Sequence, residues 1–321
     1  MDRLKLTESV RLFEEAKQLV PGGVLGIRRP TNFVVGEYPI FLKKALGGKI
    51  WDVDGNEYID MLCAYGPIII GHREKEIDDA VIEQMQNGFC MNLAQPWQNI
   101  LAKKITDLIP SAEMCIFVKT GSDATTCAIR IARGYTDKIK IIRCGYHGWH
   151  DWCVEVHGGI PKKLYEDTHE VHYNDLETLQ ALLNQYKGEV AGIIVTPVGH
   201  PLNAPVTAPA PGYLEGVRKL ADEYGAVLIF DEIRSGFRVS LGGAQERYGV
   251  TPDLTCIGKA MANGYPISAV VGSRRIMSVV ESKVFISSTF FPNSIEMAAA
   301  LTTIEILERD RALDSIWERG T

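Results

Sequence analysis

Lys259 and Asp231 are the residues whose setting points most directly to chemistry. Lys259 follows Leu254-Thr255-Cys256-Ile257-Gly258, an apolar stretch of strand character, and leads into the turn Asn263-Gly264-Tyr265-Pro266. Asp231 closes the apolar run Ala226-Val227-Leu228-Ile229-Phe230, and Glu232 follows it. An unbroken run of this kind suits a strand buried on both faces of a parallel sheet. Ligands of such sheets bind at the carboxyl ends of the strands, where both residues fall. A desolvated amine gives up its proton more easily and forms Schiff bases with carbonyl compounds. A carboxylate can keep a pyridine nitrogen protonated. These are the two fixed points of a pyridoxal phosphate (PLP) site.

Three further stretches carry residue types that fit the same chemistry, each beside a plainer alternative. Thr120-Gly121-Ser122-Asp123-Ala124 stands between a strand and a helix. Glycine allows close approach of the backbone, Ser122 can cap the helix, and the free amides favour phosphate. A simple capped helix start explains the same residues. Gly145-Tyr146-His147-Gly148-Trp149-His150-Asp151 follows another strand, so that an aromatic ring can lie on a planar heterocycle. The alternative is an aromatic-rich surface loop. His147, His150 and Asp151 suggest a metal site, but no further ligand set has metal-like spacing. Ser287-Ser288-Thr289 offers hydroxyls for a phosphate or simply a turn into a helix. The segment Asp231 to Arg238 also reads as an ion-pair turn, and an isolated lysine is usually a surface residue.

The elements that position these residues alternate. Strand-like segments at Met114–Val118, Lys138–Arg143, Ala191–Thr196, the Asp231 and Lys259 strands and Ile267–Val271 are interleaved with helical patterns at Ser122–Arg133, Leu176–Tyr186 and Tyr213–Tyr224. Repeated βα units predict an α/β domain with a mostly parallel sheet flanked by helices. Upstream, 7–20 reads as an amphipathic helix ended by Pro21-Gly22-Gly23, Gly26–Pro30 as loop, and Asp54-Gly55 as a hairpin turn between strands of a small antiparallel sheet. Helices are expected at about 74–87 and 97–108 and a last one at about 294–309. The proline-rich stretch 197–211 reads as loop, and 311–321 shows no terminal cap or sheet. The division expected is an N-terminal segment, 1–72, and a large α/β domain, 73–321.

Composition narrows the classes. A chain of 321 residues with 46% hydrophobic and 23% charged residues has the balance of a globular protein able to bury a large core. Its net charge of −6 and the lack of a basic block argue against nucleic acid or an anionic membrane as partner. No signal-peptide pattern or membrane-length apolar run is seen. The seven cysteines are scattered without CxxC spacing, and read as buried, reduced thiols of a cytoplasmic protein.

Taken in order, the motifs resemble the class III (fold-type I) PLP-dependent aminotransferases, with the glutamate-1-semialdehyde aminomutase branch as the nearest likeness. The stretches carrying the resemblance are Pro21-Gly22-Gly23-Val24, Trp51 to Asp60, Gly66-Pro67 with Gly71-His72, Gly121 to Ala124, Ala128 to Arg133, Tyr146-His147-Gly148, Asp231-Glu232 with Ser235 to Arg238, Gly258-Lys259 with Gly264-Tyr265-Pro266, and Thr289. The resemblance implies that Lys259 forms the Schiff base and shuttles the proton, passing through pyridoxamine phosphate. It implies that Asp231 pairs with the pyridine nitrogen, that Tyr146 stacks on one ring face and Ile233 on the other, and that Gly121 and Ser122 hold the phosphate. His147 is implied among the cofactor residues, and Arg29 and Tyr65 on the substrate side. Thr289 is implied to complete the phosphate site of a neighbouring subunit, hence a homodimer acting on a small amino donor and a carbonyl acceptor. The sequence departs from the family at Lys119-Thr120, where Asn-Ser is usual, at Asp123 for Glu, and at Thr196, where many relatives carry a Glu that gates an arginine switch. It also stops where relatives continue into a C-terminal lobe, so that lobe is expected to be incomplete. Racemisation or decarboxylation on the same fold, and a truncated, non-catalytic dimerising relative, are the alternatives to amino transfer.

Overall fold

The computed structural model describes residues 4–25, 37–199 and 206–320. Arg29, the Gly26–Pro30 loop reading and part of the 197–211 stretch lie outside the described residues. Two compact units are present: one contains the described residues up to Tyr65 together with Ile70–Lys75, the other Gly66–Ile69 and everything from Glu76 onward.

The first unit holds helix α1 (Thr7–Leu19) and an antiparallel sheet of β1 (Leu42–Leu46), β2 (Lys49–Asp52) and β3 (Glu57–Ile59). The hairpin turn does more than reverse the chain. The Asp54 carboxylate accepts from the backbone N–H groups of Glu8 (2.8 Å) and Ser9 (2.9 Å), and so neutralises the open amide end of α1. Ser9 is the buried residue of α1, whereas Val10 and Leu19 are exposed. The other apolar positions of the stripe, Leu12, Phe13 and Ala16, are half-buried.

The second unit holds all but the first residue of α2 (Lys75–Gln86), then α3 (Pro96–Leu108), after which the alternating series begins. It runs β4 (Met114–Val118), α4 (Gly121–Thr136), β5 (Lys140–Cys144), β6 (Thr168–Glu170), α5 (Leu176–Gln185), β7 (Val190–Val195), α6 (Tyr213–Tyr224), β8 (Val227–Glu232), α7 (Gly243–Tyr248), β9 (Leu254–Ile257), β10 (Ser268–Gly272), α8 (Arg274–Met277), α9 (Ser294–Arg309) and α10 (Ala312–Gly320). The sheet order is β4-β10-β9-β8-β7-β5-β6. Only β10 runs against its neighbours, pairing antiparallel with β4 and with β9. The carboxyl ends of β4, β9, β8, β7 and β5 therefore share one edge.

Burial explains the sequence of the central strands. Every residue of β7 and β8 is buried. Alternate side chains serve opposite faces. Ile194 and Ile229 pack with Ala124, Ala128 and Ile131 of α4, while Ile193, Leu228 and Phe230 pack with Leu179 of α5 and Leu214 and Val217 of α6. The small residues of α4 let its backbone approach the sheet closely. Each fully buried Leu, Ile or Phe side chain contributes roughly 1.5–3 kcal/mol.

Three readings are corrected. Residues 312–320 form a helix, where the sequence showed no ordered ending. Short α7 was not foreseen, because Gly242 and Gly243 mask its start. The thiols are not uniformly buried: Cys90 is exposed and Cys63 and Cys115 are half-buried.

Candidate active site

Lys259 begins a single 3₁₀ turn, Lys259–Ala262, immediately past β9. Its φ of 43° lies in the left-handed region, which a side chain other than glycine occupies only when its surroundings enforce it. The enforcement is local. A Cβ at Gly258 would lie 2.4 Å from Ser268 Oγ, the first residue of β10, so the chain enters this turn where only glycine fits. Burial pushes the Lys259 amine down to about 8, and the Arg234 guanidinium adds to the effect while Asp231 opposes it. In the cofactor-free protein, the reaction of Lys259 with a carbonyl reagent should therefore rise with pH and level off above about 8, since the neutral amine is the nucleophile. Site-resolved labelling across pH 6–11 checks this, and a midpoint near that of an ordinary lysine contradicts it.

Asp231 lies in β8 opposite Cys256 of β9, and its carboxylate is buried. Oδ2 is 2.7 Å from His147 Nδ1, and Oδ1 accepts from the Ile233 N–H at 3.2 Å. His147 is itself buried, lies parallel to Trp152, and accepts a bond at its carbonyl from Thr125 Oγ1 (2.6 Å). His147 thus orients the carboxylate. His150 Nδ1 is engaged with Thr126 Oγ1 at 2.8 Å. Glu232, the second acid, turns away from the site: it is buried and accepts from the N–H groups of Ala244 and Gln245 and from Ser235 Oγ. Burial raises its pKa despite those bonds.

The start of α4 carries the residues expected to take a phosphate. The cap is Thr120, not Ser122 as the sequence suggested. Thr120 Oγ1 accepts from the Asp123 N–H (3.1 Å), and the Asp123 carboxylate accepts from the Thr120 N–H (2.8 Å). This reciprocal box works with Asp in place of Glu. It leaves the Gly121 and Ser122 amides without partners among the described residues, at the positive end of a 16-residue helix. Ser122 Oγ instead accepts from the Trp149 N–H at 3.3 Å, tying the aromatic loop to this turn. Gly148 makes the approach possible: its φ is 114°, and a Cβ there would lie 2.3 Å from Ser122 Oγ. Gly148→Ala should cost about 1–3 kcal/mol of stability and weaken phosphate binding together. Denaturant unfolding beside a phosphate titration tests this; a neutral substitution would show that the contact is not tight.

Ile233 joins the two ends. A Cβ at Gly121 would sit 3.1 Å from it and one at Gly258 3.2 Å, so this half-buried side chain packs between the α4 turn and the lysine turn. Tyr146 follows β5 with its ring partly exposed, 6.0 Å from the Arg234 guanidinium. Thr289 is exposed on a turn. Tyr65 belongs to the first unit, where it has a φ of 67° and is 39% exposed. Thr196 Oγ1 is buried without a hydrogen bond, beside Gly145.

Sequence reasoning missed two features. Lys119 pairs with Glu296 at 2.9 Å, linking the α4 turn to α9. Arg234 makes no ion pair among the described residues, so the ion-pair reading of its segment fails for it. No local pattern signals either one, because the partners are distant in sequence or absent.

A PLP molecule fits these residues: two free helix-start amides for phosphate, an apolar Ile233 wall, a buried carboxylate held by histidine, and an amine with depressed proton affinity. A lysine and an aspartate so placed at the carboxyl edge of a mostly parallel seven-stranded sheet define a fold-type I PLP-dependent transferase. The class-III aminotransferase family matches residues 33–320, and the chain belongs to that family. It is 67% identical to the 3-aminobutyryl-CoA aminotransferase of Cloacimonas acidaminovorans (strain Evry), over 99% of this chain and 77% of that protein. It is 41% identical to glutamate-1-semialdehyde 2,1-aminomutase 1 of Lachnoclostridium phytofermentans, over 95% of this chain and 74% of that one. The PLP internal aldimine form of the Sphingopyxis sp. MTA144 FumI protein superimposes with a TM-score of 0.91 at 34% identity, covering 94% of this chain and 73% of that one. The protein is thus a PLP-dependent enzyme that moves amino groups. Among the described residues no helix is long and apolar enough to cross a membrane.

Proposed function

We propose that this chain is an intermolecular aminotransferase acting on a 3-aminoacyl thioester of the 3-aminobutyryl-CoA type, with a keto compound as acceptor. The observation that carries this reading is the identity to the 3-aminobutyryl-CoA aminotransferase, which exceeds that to the aminomutases by a wide margin along the same residues. PLP, when bound, supplies an electron sink conjugated to the substrate carbon that loses its proton. Lys259 would hold the cofactor covalently, and its free Nζ would move the proton. Asp231 would keep a proton on the ring nitrogen, and His147, bonded to its carboxylate, would fix it for that task. The Gly121 and Ser122 amides and Ser122 Oγ would bind the phosphate, Ile233 and Tyr146 would bound the ring faces, and the family resemblance assigns Arg29 and Tyr65 to the substrate.

A homodimer in the cytoplasm belongs to the same proposal. Exposed Leu93, Phe285 and Phe290 and the exposed Thr289 support a covered face and a shared site.

A half-reaction screen tests the substrate. Spectral conversion of the bound cofactor by 3-aminobutyryl-CoA, reversed by a keto acid, is the expected result. Conversion of glutamate 1-semialdehyde without any added acceptor, and none with the thioester, overturns it in favour of an aminomutase.

A further inference from the structure

The neighbourhood of Lys259 contains more positive charge than its own amine requires. Arg234 lies one residue beyond Ile233, within electrostatic reach of both Lys259 and Asp231. Its guanidinium stands over the Tyr146 ring. Nη1 is buried and without a hydrogen-bond partner. The remaining nitrogens of the fork form no hydrogen bond within the described protein, and the side chain is only half-buried, so they reach open space. A guanidinium offers five donors in a rigid plane. Leaving such a group partly desolvated and unsatisfied is costly unless something else meets it. Asp231 does not: no ion pair joins the two among the described residues, and its oxygens bond to His147 and to the Ile233 N–H.

We propose that Arg234 is a binding residue for an anionic oxygen brought into the site by the reacting molecules. The inference rests on the PLP reading of the site. Two sources carry the same chemistry: the phenolic oxygen on the cofactor ring, and a carboxylate oxygen of the amino donor or carbonyl acceptor. The planar fork receives either with charge-assisted hydrogen bonds, which a point charge such as lysine does not reproduce.

The test compares wild-type protein with Arg234→Gln and Arg234→Lys, each checked for folding by circular dichroism. One arm titrates the cofactor-free proteins with 4′-deoxypyridoxine 5′-phosphate, which keeps the ring oxygen, and with its 3-O-methyl ether, which does not ionise there. The other arm titrates the PLP-loaded proteins with butyrate and with butyryl-CoA, neither of which has an amine to react. A loss of roughly tenfold or more in affinity for the phenol but not for the ether identifies the ring oxygen. A similar loss for butyrate but not for butyryl-CoA, whose acyl oxygen is neutral, with the phenol unchanged, identifies the substrate carboxylate. Arg234→Lys should recover only part of either loss. Equal affinities in all three proteins, or full recovery by lysine, overturn the proposal and leave Arg234 as a source of field alone. Failure of the wild-type protein to bind the phenol at all would count instead against the PLP site.

Discussion

Lys259→Ala leaves a folded protein that no longer holds PLP covalently and transfers amino groups at least about 10⁴-fold more slowly. That is the upper end of what a positioned acid–base group supplies, and the same side chain is also the nucleophile. The thermal stability of the cofactor-free protein should not fall. The fold lowers the proton affinity of this amine, so the charged form is held at a cost that alanine removes. Borohydride reduction followed by peptide mapping reads the attachment, and single-turnover kinetics read the rate. Labelled peptide containing some lysine other than 259, with the rate intact in the variant, would remove Lys259 from its central place.

Asp231→Asn is expected to lower the single-turnover rate by about 10²–10³-fold, the range seen when a preorganised electrostatic stabiliser is removed. The side chain keeps its shape but loses its charge, so the ring nitrogen would lose the anion proposed to hold its proton. A second readout follows from the same geometry. Asp231 raises the proton affinity of Lys259, so the asparagine variant should show a Lys259 labelling midpoint below that of the wild type. An unchanged midpoint together with a normal rate would mean that the two groups do not communicate. His147→Ala should move both quantities in the same direction by less, because the carboxylate remains but is no longer oriented.

The parts of the molecule that were legible beforehand are those whose burial is complete. β7 and β8 are apolar from end to end because both faces are covered, and α6 shows its stripe because one face is. Their strand ends placed Asp231 and Lys259 correctly on one sheet edge. Pairings between distant residues were not legible. Asp231 and His147 are 84 positions apart, and nothing near either one signals the other. The capping residue was misjudged by two positions: Thr120 and Ser122 are equally good acceptors, and the choice between them depends on where the helix begins in space. The terminal helix at 312–320 was missed because so short an amphipathic segment has little pattern of its own.

The antiparallel strand β10 separates β4 from β9, and thereby the α4 turn proposed for the phosphate from the lysine turn. Two inter-strand steps of about 4.8 Å each put these ends roughly 10 Å apart. The sheet itself acts as a ruler. A molecule gripped at both ends needs an anion and a carbonyl carbon separated by about that length, whatever lies between. Pyridoxal without its phosphate meets only one end. Discrimination by length is therefore set by hydrogen-bonded backbone, and substitution of individual pocket side chains leaves the gauge in place.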